Sequence, residues 1–268
     1  MAQKEHHPTN IMNPKRIEEV SLNSWPALQQ ILYDGWILRF ADGYTRRANS
    51  INLLYPSSLD VEEKISTCEA LYRERGLPPL FRLTPFSYPS EIDQILERRG
   101  YKRMGDMFLL SRELVPVGDM PPLQDGQLQR AQVQSLPLWE WLTIYCQLRE
   151  FSPDSTAQQT HLAILQNILG KRLPMVLVDG ETVLCCAMGV QEGQCLGLFG
   201  MFTAPEHRKK GYGTQLVASM LQQAQQNGAT HAYLQVMKEN VPARRLYAKL
   251  GFQELYDYWY RVPQSYGS

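Results

Sequence analysis

The chain has 268 residues, of which 44% are hydrophobic and 20% charged, a composition that excludes a disordered chain and gives room for two cores. Its 27 Lys and Arg balance 27 Asp and Glu, so no whole-molecule field draws it to nucleic acid or an anionic membrane, and no apolar run reaches the roughly 20 residues that span a bilayer. In chain order, residues 1–12 are polar, lack a secretory apolar core and read as a disordered lead-in. A polar helical stretch follows through Ile17 and Val20, and Gly35–Phe40 reads as a strand. Asp42-Gly43 is a hairpin signal, with Ala48–Tyr55 as the returning strand. Val61, Ile65, Cys68 and Leu71 share one face of a helix from Asp60 to Arg75, closed by Gly76. Phe81–Thr84 is a short strand, Ser90 is the expected N-cap of a helix running to Arg99, and Met107–Leu110 is the next strand.

The proline-rich stretch from Val115 marks a linker over 115–126, dividing an α/β domain at 13–114 from a second at 127–268. There, a helix is expected from Ser135 to Arg149, anchored by Leu138, Trp139, Leu142 and Tyr145, and another from Thr160 to Leu169. Asp179-Gly180 joins Met175–Val178 and Thr182–Val190 as a hairpin. Cys195–Thr203 is an apolar strand, Gly211–Asn227 an amphipathic helix, Ala232–Val236 a strand, Asn240–Leu250 a helix and Phe252–Val262 a terminal strand or hairpin. Cys68, Cys146, Cys185, Cys186 and Cys195 form no Cys-x-x-Cys pair; they read as reduced core thiols of a cytosolic protein, with no metal site.

The stretch that points to chemistry is Met201–Thr214. Its apolar strand runs to Pro205, the basic cluster His207–Lys210 follows, and Gly211 and Gly213 lead into a helix. A helix start presents unpaired N–H groups at the positive end of its dipole, and glycines let an anion approach that backbone. The basic run alone also fits a solvated surface cluster or a nucleic-acid patch. A second block, Asn240-x-x-Ala243-x-x-Leu246-Tyr247-x-x-x-Gly251-Phe252, follows 26 residues beyond Thr214.

Together, Arg208-x-x-Gly211-x-Gly213 and this second block resemble the two signatures of the GNAT superfamily of acetyl-CoA-dependent N-acetyltransferases. The resemblance implies an α/β fold with a mixed sheet and flanking helices. It also implies a splay between the strand ending at Thr203 and the strand of Leu234–Val236. Acetyl-CoA would be held by the backbone of Met201, Phe202 and Thr203, by Arg208, Lys209, Lys210, Gly211, Tyr212, Gly213 and Thr214, and by Asn240, which could instead cap its helix. Tyr247 would protonate the departing thiolate, although its residues alone read as a packed helix face. The strand before the loop has no carboxylate, so the base is open among Glu150, Asp154, Glu192 and His231, with Glu150 placed nearest the acceptor. The helix ending Ile95–Tyr101 parallels Leu246–Phe252, which suggests that the first half is a degenerate copy of the second in a tandem protein. The expected function is acetyl transfer to an amine by direct attack, in the cytoplasm. A small-molecule acceptor is preferred over a protein, with no nucleic acid or membrane partner and a homodimer left open. The alternative is a non-catalytic acyl-CoA-binding sensor or scaffold.

Overall fold

The computed structural model describes residues 13–114, 131–152 and 155–267. The lead-in at 1–12 and the linker at 115–126 lie outside the described residues. The first half comprises α1 (Pro14–Ser24), β1 (Gln29–Tyr33), β2 (Trp36–Phe40), β3 (Ile51–Asn52), α2 (Val61–Glu74), β4 (Phe81–Leu83), α3 (Ile92–Arg98) and β5 (Tyr101–Glu113). The second comprises β6 (Gln132–Ser135), α4 (Leu138–Leu148), α5 (Thr156–Gln166), β7 (Lys171–Asp179), β8 (Thr182–Glu192), β9 (Cys195–Thr203), α6 (Tyr212–Gln226), β10 (His231–Met237), α7 (Val241–Lys249) and β11 (Gln253–Pro263). No helix among the described residues is long and apolar enough to cross a membrane.

Among the described residues the strands form one mixed sheet, ordered β1-β2-β3-β4-β11-β5-β10-β9-β8-β7-β6. Apart from β6 and α4, which precede it in the second, the two halves repeat one order of elements: helix, hairpin, strand, helix, strand, helix, strand. In each, the third strand of the series runs parallel to the fourth (β3 with β4, β9 with β10). The last strands are exchanged. β5 of the first half pairs with β10 of the second, β11 pairs with β4, and β5 and β11 lie antiparallel at the centre. Gly100 and Gly251, both left-handed (φ 85° and 77°), turn α3 and α7 into those strands.

One apolar layer, between the sheet and α1, α4 and α5, draws on both halves: Ile17, Val20 and Trp25 join Trp141, Phe199 and Tyr233. The opposite face is covered by α6, whose Leu216, Val217, Met220 and Leu221 meet Leu173, Leu196 and Leu234. A separate core in the first half packs α2 and α3 on Trp36, Leu38, Phe81 and Leu83.

Five local expectations are corrected. The two-residue hairpin turn is Asp34-Gly35, joining β1, unassigned from sequence, to β2 with Tyr33 opposite Trp36; Asp42-Gly43 lies in the longer β2–β3 connection. There Asn49 accepts from the Ala41 and Gly43 amides (2.7 and 3.0 Å) and donates to the Thr45 carbonyl, and this side-chain bonding holds a loop where an extended strand was expected. Ser90 caps nothing; its hydroxyl bonds Glu91, and α3 starts without a side-chain cap. In α4 the inward phase is set by Leu142, Tyr145 and Cys146, which places Trp141 inside (1% exposed) and leaves Trp139 64% exposed. The residues up to Ser135, expected to begin that helix, pair with β7 as a strand.

Gly35 combines φ 82° with a Cβ position 2.2 Å from the Pro56 carbonyl oxygen. Gly35→Ala is expected to destabilise the protein by about 1–3 kcal/mol. Gly180→Ala, equally left-handed but with open space at its Cβ, should cost less. Denaturant titration of both variants checks the order; equal losses would refute the steric account.

Candidate functional site

β9 pairs with β10 only from Cys195 to Leu198, opposite His231 to Leu234. Beyond this point the ladder against β8 shifts register between Cys186 and Met188, at Gly200, which is left-handed (φ 55°). A Cβ at Gly200 would lie 3.0 Å from the Trp141 ring, so a glycine both permits the bulge and lets α4 close on it. The bulge turns the end of β9 away from β10. The opening is a cleft of about 860 Å³ that passes through the sheet: Met201, Tyr212 and Leu246 line it from the α6 side, Phe199, Phe202 and Arg149 from the α4 side. The strand exchange brings Met107 of β5 to its wall.

At one end stands α6. Gly211, left-handed at φ 83°, is its N-cap and offers no side chain to the first-turn amides of Tyr212, Gly213 and Thr214. These amides have no intrahelical acceptor and sit at the positive end of a 15-residue helix. Gly213 is buried, and a Cβ there would meet Leu246 and Met201 at 3.0 Å each, so its absence lets α6 close against α7 and β9. Lys209 is also left-handed (φ 61°) and lines the cleft; Lys210, named with it from sequence, is exposed and does not. Arg208 is engaged structurally: its Nε donates to the Thr203 carbonyl (3.1 Å) and its guanidinium lies 5.4 Å from the centre of the Phe202 ring. That bond ties the loop to β9 and engages the Thr203 carbonyl, part of the strand backbone expected to hold the cofactor.

α7 begins at Asn240, whose side chain accepts from the Ala243 amide (3.2 Å), so of the two roles left open for it the cap is observed; it also lines the cleft. Two turns on, Tyr247 faces the cleft, 7% exposed, its ring 5.8 Å from Phe252. Burial pushes its pKa up to about 12, which keeps the proton on the phenol at neutral pH. Its hydroxyl bonds no described residue. Arg245 and Lys249 also line the cleft, because α7 lies along its rim.

The base candidates are not brought to this place. Glu150 is exposed at the end of α4 in a left-handed conformation (φ 56°) and does not line the cleft, whereas its neighbour Arg149 does. Asp154 lies outside the described residues. Glu192 pairs with Arg16 (3.4 Å) and His231 bonds Thr230 (2.8 Å), both at the closed end of the β9–β10 pair. Among the described residues the cleft is lined by Arg149, Arg208, Lys209, Arg245 and Lys249 and by no Asp or Glu.

Behind Trp141 and Tyr145 lies His161, buried among Trp25, Tyr44 and Tyr145, with Nδ1 3.0 Å from the Tyr44 hydroxyl. Burial lowers its pKa from 6.5 to about 4. Between those values the unfolded chain takes a proton that the folded one refuses. Stability is therefore full above pH 6.5 and falls by about 3 kcal/mol as pH drops toward 4. His161→Phe should flatten this part of a melting-temperature profile; an unchanged slope would refute the assignment.

Residues 13–261 match the family model described as "Probable histone acetyltransferase Rv0428c C-terminal". The chain is 31% identical over 253 residues to the "Uncharacterized N-acetyltransferase YobR" of Bacillus subtilis (strain 168), across 93% of this chain and 98% of the relative. In fold it is similar to a GCN5-related N-acetyltransferase from Kribbella flavida, with TM-score 0.68, 16% identity and coverage of 94% of this chain and 95% of that one. It is also similar to a tandem GNAT protein from the clavulanic acid biosynthesis pathway, with TM-score 0.60, 12% identity and coverage of 80% and 75%.

Proposed function

Because the chain belongs to the GNAT superfamily of N-acetyltransferases, we propose that it transfers an acetyl group from acetyl-CoA to the amine of a small molecule by direct attack. The observation that supports this most is the meeting, in one cleft through the sheet, of the uncapped α6 N-terminus and the Tyr247 phenol. The amides of Tyr212, Gly213 and Thr214 suit a diphosphate, with Lys209 adding charge. The exposed backbone of Phe199–Thr203 suits the amides of the pantetheine arm in the manner of an added strand.

In this reading the neutral amine enters from the Phe199 and Phe202 side and attacks the thioester carbonyl. The C–N bond forms, the C–S bond breaks, and Tyr247 gives its proton to the departing thiolate. The ammonium proton leaves to water, since no carboxylate lines the cleft among the described residues. Direct attack needs no acyl-enzyme, and the five cysteines are all buried.

A thermal-shift titration with acetyl-CoA is the first test. Ligand at a hundred times its Kd should add about 2.7 kcal/mol. Release of free thiol on addition of an amine then separates the enzyme from an acyl-CoA sensor. No shift with acetyl-CoA would refute the reading, and a shift without thiol release on any amine would leave only the binding half of it.

A further inference from the structure

Two guanidiniums beside the aromatic rings of β9 have no counter-charge among the described residues; Arg149 lines the cleft, and Arg47 lies behind Phe199, which does. Arg47, in the β2–β3 connection of the first half, lies 5.3 Å from the centre of the Phe199 ring and 5.7 Å from that of Trp25, rings that are themselves stacked at 5.7 Å. It makes no ion pair and its side chain no hydrogen bond with any described residue, and its Nε is buried without a partner. Arg149, at the end of α4, lines the cleft over Phe202 (5.3 Å) and likewise has no ion pair among the described residues. The two rings they cover, Phe199 and Phe202, belong to the same strand β9, and the Tyr145 ring packs at Gly200 between them.

A third guanidinium deepens the imbalance. Arg39 is fully buried and donates only to the backbone carbonyls of Leu22, Trp25 and Arg47. Burial, and after it the charge of Arg47, lowers its pKa to about 10. The buried carboxylate of the same layer, Glu18, is already engaged by Arg82 and Tyr256. The cations at the α6 end answer the phosphates of the donor; Arg47 and Arg149 remain unanswered by any described carboxylate. Arg47, half-buried against aromatic walls with an unpartnered Nε, carries a desolvation cost that an incoming anion offsets; Arg149 is exposed at the rim, and a planar guanidinium matches a carboxylate well.

We propose that the amine acceptor carries a carboxylate, held on the Phe199 side of the cleft by Arg47 and Arg149 against the Trp25, Phe199 and Tyr145 rings. This rests on the acetyl-transfer reading for the identity of the site's second substrate, and it selects amino acid-like acceptors over polyamines and cationic protein tails.

The test uses the full chain and a panel of α-amino acids, their α-amides and spermidine as acceptors, together with calorimetry of the matched products N-acetylphenylalanine and N-acetylphenylalaninamide. Carboxylates should exceed their amides by ~10–100-fold in kcat/KM or affinity. Arg47→Gln and Arg149→Gln should each erode that ratio by raising KM for the acid alone, with acetyl-CoA affinity unchanged. Calorimetry on the wild-type chain needs neither variant to fold. A preference for amides or spermidine, equal binding of acid and amide, or no binding by either would overturn the proposal. Absent acetyl-CoA binding alongside a retained carboxylate preference would overturn the acetyl-transfer reading and leave the anion pocket standing.

Discussion

Tyr247→Phe is expected to lower kcat by roughly 10²–10⁴-fold and to leave acetyl-CoA affinity unchanged. The substitution removes one hydroxyl that bonds no described residue and keeps the ring against Phe252, so folding stability should be nearly untouched. The expected loss is therefore chemical. A phenol with pKa near 12 holds its proton through the physiological range, so it is present as an acid whenever the thiolate departs. The burial that disfavours the phenolate also disfavours a thiolate beside it, which keeps the transfer between them feasible despite the high pKa. It follows that Tyr247 should contribute no ionisation to the pH–rate profile below about pH 10. Steady-state kinetics and a calorimetric titration of acetyl-CoA on the same preparation check this. An unchanged kcat, or a loss confined to acetyl-CoA binding, would remove the residue from the chemistry.

Glu18→Ala should destabilise the protein by about 3–5 kcal/mol, the cost of leaving a buried ion unpaired. Glu18 on α1 and Arg82 on β4 are both essentially inaccessible; the guanidinium lies 3.9 Å from the centre of the Tyr258 ring, and Tyr256 of the exchanged strand β11 bonds the same carboxylate. The pair thus fastens α1, β4 and a strand of the second half at one point. The melting temperature should fall by on the order of 10 °C. The double variant Glu18→Leu, Arg82→Met should recover most of the loss, because it removes both charges and refills the volume. A single-variant loss below about 1 kcal/mol would show that water reaches Arg82 after all.

The site was legible from sequence where it rests on short-range chemistry. The bounds of β9, the glycine-led start of α6, and the Asn240 cap two turns ahead of Tyr247 follow from apolar runs, left-handed glycines and side-chain caps, each decided within a few residues. Arg149 was passed over in favour of Glu150 because the register that turns one toward the cleft and the other to solvent depends on how α4 docks, and α4 takes its phase from the β9 bulge at Gly200. Asp34-Gly35 and Asp42-Gly43 carry the same turn signal and both connect antiparallel neighbours; only the tertiary pairing decides that the first is a two-residue turn and the second part of a longer loop.

By itself the sequence determined a mixed α/β chain carrying a phosphate-type loop and a tyrosine-bearing helix in the right order, since periodicity, capping and turn chemistry act locally. Only the tertiary structure decided that β5 and β11 trade places, that the cleft runs through the sheet and takes Met107 from the other half, and that Arg47 of the first half and Arg149 of the second both lie against rings of β9. Strand pairing is chosen among distant segments by which edges and apolar faces remain to be covered, and charges far apart in the chain become neighbours only after that choice is made.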